Sequence, residues 1–174
     1  MTVTIDGSAS VTINSGAILG LNSATAVAST SGTSIDFTSI PSWVKRITVM
    51  FNGVSTSGTS DLIIQLGTGA TPTYTTSGYL GAVSTQSGTV DLSSTGFRVV
   101  NTNTAASVWN GNIIINNVTS NTWSEFGVLG NSNAAGTRVS GGSIPLAAAL
   151  TAVRITTSGG TDTFDAGTIN ILYE

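Results

Sequence analysis

The chain has 174 residues, with five Lys and Arg against eight Asp and Glu, no His, no Cys and a formal net charge of −3 at pH 7. The lack of His and Cys excludes the commonest acid–base and nucleophilic catalysts, any disulfide framework and any thiolate metal centre. So few cations, without a basic cluster, argue against a surface for nucleic-acid phosphates, and no run approaches the roughly 20 apolar residues of a membrane-spanning helix.

The opening Met1-Thr2-Val3-Thr4-Ile5-Asp6-Gly7 has neither the basic nor the apolar segment of a secretory signal, so the product is expected to be made in a cytoplasm and not exported by a cleaved leader. Val3-Thr4-Ile5 and Val11-Thr12-Ile13 form a near-repeat across Asp6-Gly7-Ser8. That pattern fits a hairpin or two edge strands, which must dock on the main domain or on another chain to be stable. The small residues of 24–32 read as a linker, so residues 1–28 are expected to be an attachment arm and residues 29–174 the body.

Within the body, runs of Val, Ile, Thr and aromatic residues alternate with polar ones between clusters of Gly, Ser, Asn and Asp. From Arg46 onward, Ile47, Val49 and Phe51 fall on one face of a strand, with Thr48 and Met50 on the other. Further strands are predicted at 61–66, 78–83, 97–100, 111–118, 123–129, 152–156 and 168–173. This spacing predicts an all-β protein, an antiparallel β-sandwich of jelly-roll-like type. Asn52-Gly53 and Asn110-Gly111 read as tight turns at strand ends. The one helix-like stretch, 145–150, is too short to hold a helix alone.

Candidate sites are few. Trp43 behind Pro41 reads as packing, and Lys45-Arg46 beside it as a solvated edge that blocks unwanted strand pairing. Tyr74, Tyr79, Trp109 and Trp123 are the candidate glycan contacts, because a flat ring among Asn, Ser and Thr donors suits a sugar. Tyr74 lies in the turn-rich run 69–78 and reads as the best exposed of the four. Asp162 and Asp165 sit in a Gly-rich loop without a calcium-binding repeat, which leaves turn stabilisation as their role. No pair among Asp61, Asp91, Glu125, Asp162 and Asp165 stands out as the two carboxylates of a glycosidase. No catalytic, cofactor-binding or metal-binding residue is assigned, and no cofactor is implied.

Two segments carry a family likeness. The first runs from Gly32-Thr33-Ser34-Ile35-Asp36-Phe37 through Ile40-Pro41-Ser42-Trp43-Val44-Lys45-Arg46-Ile47-Thr48-Val49-Met50-Phe51-Asn52-Gly53-Val54; the second comprises Val153-Arg154-Ile155-Thr156 and Gly160-Thr161-Asp162-Thr163-Phe164-Asp165 to Ile171-Leu172-Tyr173-Glu174. They resemble a β-rich module of tail-fibre and other virion proteins of tailed bacteriophages. The middle of the chain matches mainly in pattern, as in Asn121-Thr122-Trp123 and Gly127-Val128-Leu129-Gly130.

The resemblance implies a non-enzymatic virion structural protein, assembled as a homotrimer in particles built in a bacterial cytoplasm. Its expected partners are copies of itself, other virion proteins through residues 1–28, and a host-surface glycan. A short fibre or tail-fibre-like appendage for host adhesion is the first expectation. A capsid decoration, cement or head-fibre protein is the second, and a polysaccharide-degrading enzyme a distant third. Self-association is also expected on physical grounds, because a low-charge sheet protein has to hide its strand edges.

Overall fold

The structure, a computed structural model, describes residues 20–174 throughout, together with two short N-terminal strands. The Val3-Thr4-Ile5 half of the expected repeat lies outside the described residues. The strands in chain order are β1 (Val11–Ile13), β2 (Gly16–Ile18), β3 (Asn22–Ser23), β4 (Val27–Ala28), β5 (Ser34–Phe37), β6 (Arg46–Thr56), β7 (Leu62–Thr68) and β8 (Thr73–Tyr74). They continue with β9 (Leu80–Thr85), β10 (Val90–Ser93), β11 (Phe97–Arg98), β12 (Trp109–Thr119), β13 (Thr122–Asn131), β14 (Thr137–Pro145), β15 (Leu150–Thr157) and β16 (Phe164–Tyr173).

All pairings are antiparallel, and two sheets pack into a sandwich. The large sheet runs β10-β9-β14-β13-β12-β6-β16, with β3 and β4 both on the far edge of β16; the small sheet runs β11-β7-β15-β5, with β8 added to β7. The expected class is therefore met. β1 and β2 form a separate two-stranded hairpin.

Alternation along the strands builds the core. Ile47, Val49 and Phe51 of β6 point inward beside Ile113 and Ile115 of β12 and Ile169 and Ile171 of β16. From the small sheet they meet Ile64 and Leu66 of β7, Val153 and Ile155 of β15, and Ile35 and Phe37 of β5. Each such side chain contributes about 1.5–3 kcal/mol on leaving water. Tyr79 and Phe97 close one flank edge to face, with centroids 4.9 Å apart.

Two local expectations are corrected, those for 24–32 and for the Asn-Gly pairs. The 24–32 stretch is not a free linker: Ala24 N–H donates to Ile171 O and Ser29 N–H to Gly167 O, each at 3.0 Å, and Val27 packs on the core. The end of the expected arm is thus stitched to β16, because small residues fit closely against a strand that still needs a partner on that side. Residues 145–150 form no helix; they turn the chain from β14 into β15.

Asn52-Gly53 and Asn110-Gly111 do not end strands but lie inside β6 and β12. Gly53 (φ 68°) and Gly111 (φ 135°), with Gly167 (φ 93°) on β16, mark register shifts in three adjacent strands. The Asn110 Oδ1 accepts from Gly53 N–H at 2.8 Å, so the two Asn-Gly pairs lock together as β-bulges instead of turns.

Candidate functional site

Polar side chains with defined partners collect on the outer face of the small sheet. Asp36 is flanked by the core residues Ile35 and Phe37, and Arg154 by Val153 and Ile155, so strand alternation drives both outward. Their backbones are paired across β5 and β15. Arg154 Nε donates to Asp36 Oδ1 at 2.8 Å and Nη2 to Oδ2 at 2.7 Å, a bidentate fork that raises the affinity of Arg154 for its proton.

The same guanidinium lies 3.9 Å over the Tyr74 ring. Gly67, paired with Tyr74 across β7 and β8, has no side chain to push that ring off the strand; a Cβ there would stand 3.0 Å from two ring atoms. Burial and the neighbouring Asp36 push the Tyr74 hydroxyl up to about 12. Next to this cluster a groove of about 370 Å³ is lined by Ser34, Gln65, Thr76, Arg154, Thr156 and Ser158, a set of hydroxyls and amides around one cation. It can offer hydrogen bonds to a polar ligand.

The other aromatic candidates do not join it. Tyr79 is 1% exposed, with its hydroxyl accepting from Leu66 N–H at 2.8 Å. Trp109 is fully buried, donates Nε1–H to Asn103 Oδ1 at 2.9 Å and has Arg138 5.0 Å from its ring centroid. Trp123 is likewise buried. Tyr79, Trp109 and Trp123 are therefore corrected from glycan contacts to core, because each occupies an inward position where a large ring fills the space between the sheets. Tyr74 is half-buried and has one ring face taken by Arg154. Trp43 packs against Tyr173, with ring centroids 6.0 Å apart, while Lys45 donates to Asn117 and Arg46 pairs with Glu174.

All seven carboxylates among the described residues have a protein partner. Asp36 and Glu174 pair as above; Asp61 pairs with Arg98 at 3.4 Å and accepts from Asn103 N–H. Asp91 accepts from Asn101 Nδ2, Asp162 from Ser60 N–H and Asp165 from the Ser55 hydroxyl. The two loop aspartates thus fasten the 158–165 loop to 55–60. Glu125 stands apart: it is 4% exposed, and its one partner is the Ser140 hydroxyl, donating at 2.6 Å. Burial pushes its carboxyl up to about 7, against the pull of that hydrogen bond. Among the described residues no group of three or more acidic side chains could hold a metal ion.

Sequence reading missed the Arg154–Asp36–Tyr74 cluster, although one signal was present: two opposite charges, each set between apolar residues of a strand. No family model matches this chain, and neither a curated protein nor a solved structure matches it.

Proposed function

We propose that this protein is a structural component of a tailed-bacteriophage virion, a short fibre or tail-fibre-like appendage that contacts the host surface. One observation carries the reading. The two segments that resemble the phage module, residues 32–54 and 153–174, are about a hundred residues apart in sequence, yet they pair strand for strand. β5 lies on β15 in the small sheet, and β6 lies on β16 in the large one. A likeness strongest in pieces that fold into one unit is what a shared module would leave behind.

The polar groove beside Arg154 supports contact with a neutral, hydroxyl-rich ligand such as a surface glycan. The described carboxylates, each bound to a structural partner, support a non-catalytic role. Capsid decoration or a head fibre is the second reading, and it is favoured by the burial of three of the four aromatic residues, which leaves little for a sugar to stack on.

The test compares binding of the labelled protein to host cells and to particles that lack it, for the whole chain and for a version without residues 1–19. That boundary spares the strands stitched to β16. Cell binding that survives the deletion supports the appendage. Binding to particles alone, lost on deletion, supports decoration, and binding to neither sinks both.

A further inference from the structure

The outer face of the large sheet is bare and nearly free of charge. One cross-strand row reads Leu172, Thr48, Ile114, Phe126, Gly141, Ala82 and Leu92, and the next reads Asn170, Met50, Asn112, Val128, Val139, Ser84 and Val90. Neither row contains an ionisable residue. Phe126, Val128, Val139, Val90 and Leu92 are each at least half exposed, with Leu92 at 77%. The flanking rows, Arg46-Asn116-Ser124-Ser143-Leu80 and Asn110-Gly130-Thr137, add only Arg46, which is held by Glu174.

We infer that this face is an isologous interface with a second copy of the chain, each Phe126 seated in the partner copy's trough at Gly141 and Ala82. The trough is a cavity of about 600 Å³ whose lining includes Leu80, Ala82, Leu92 and Gly141, the last leaving room where a side chain would stand. Knob and trough are arranged for self-pairing. Phe126 on β13 and Ala82 on β9 lie in one row at equal distances on either side of Gly141 on β14. A two-fold axis along β14, midway between two facing sheets, therefore carries Phe126 of each copy over Ala82 of the other.

Area and charge favour a copy of this chain over other occupants. The 22 residues of these four rows, each occupying about 6.7 Å by about 4.8 Å, cover roughly 700 Å². Stable interfaces take about 600–1,000 Å² from each partner. Two chains of net charge −3 repel elsewhere, but they meet here without opposing like charges. A patch of large apolar side chains this exposed, set among uncharged hydroxyls and amides, marks a surface that another chain covers. The inference holds whether or not the protein belongs to a virion.

The test is sedimentation velocity of the full chain from about 1 to about 100 µM, a range in which interfaces of this size dissociate. The expected result is a reversible dimer, or a larger assembly built from dimers, that Phe126→Ser and Gly141→Leu each weaken at least tenfold. At concentrations where the parent is monomeric, both variants should keep its unfolding midpoint. Gly141 has room for a side chain, the nearest atom to an added Cβ being 3.8 Å away. Leu there adds apolar surface, so mere stickiness would increase association, whereas a filled trough must reduce it. Val139→Thr, similar in shape, replaces either variant that fails to fold. A chain still monomeric at about 100 µM overturns the inference, as does association that none of these changes weakens. Association lost only on removing residues 1–19 overturns it too, and assigns self-association to the N-terminal segment.

Discussion

The two outer faces of the sandwich solve the same problem in opposite ways. On the small sheet, the larger polar groups that alternation pushes outward find partners on the same face: Arg154 with Asp36 and Tyr74, Gln65 Nε2 with Thr95 O, and Thr156 with Thr33 O. On the large sheet, the outward positions set Phe126, Val128, Val139, Val90 and Leu92 among Thr, Ser and Asn, and among the described residues nothing is laid over them. Substitutions on the first face should change the stability of one chain, and those on the second should change how chains meet.

The comparison is best broken from inside, where both faces depend on the shared core. Trp109→Ala should cost about 4 kcal/mol in urea unfolding, since it opens a cavity and strips Asn103 and Arg138 of their partner. Trp109→Phe, which keeps a ring but loses the Nε1–H bond, should cost about half as much. A loss below about 1 kcal/mol for the alanine variant would mean that the ring is not in the core.

Glu125 tests the interior of the large sheet by pH. Burial pushes its carboxyl up to about 7 against 4.5 for the free group, so the contribution of Glu125 to stability is fully present below about pH 4.5 and is lost as pH rises to about 7. That gap is worth roughly 3 kcal/mol, after which the loss levels off. Glu125→Gln should match the parent near pH 4 and exceed it near pH 9 by up to that amount. Equal pH slopes for the two proteins in denaturant titrations would sink the assignment.

The smallest effect sharpens the contrast between the faces. Arg154→Ala should lower stability by about 1 kcal/mol, because a half-exposed ion pair is partly screened and the stacking on Tyr74 adds a modest share. Sedimentation of this variant should match that of the parent. A change in association instead would place a contact between chains on the small sheet.

Most long strands could be read from alternation, as in β6, where Ile47, Val49 and Phe51 fall on every second position up to the bulge at Asn52-Gly53. β14 could not. Its Gly141-Gly142 and flanking serines look like a turn, yet Gly142 is needed where β14 and β9 approach closely: an added Cβ would stand 2.9 Å from Gly81 Cα and Leu80 O. The same ambiguity misplaced Asn52-Gly53 and Asn110-Gly111, since positive φ serves a bulge as well as a turn and only the partner strand decides. The aromatic candidates failed for a related reason. Trp109 and Trp123 sit among Asn, Ser and Thr in sequence, but the side of the sheet they face is fixed by register and not by their neighbours in the chain.

The placing of β15 and β16 has a consequence for synthesis. β15 lies between β7 and β5, and β16 lies between β6 and the short strands β3 and β4, so the interior of both sheets is completed from residues 150–173. A growing chain that has made β5, β6 and β7 must hold them open until those residues leave the ribosome. Broken chains are left with two gapped sheets, and only chains that carry β15 and β16 can close both.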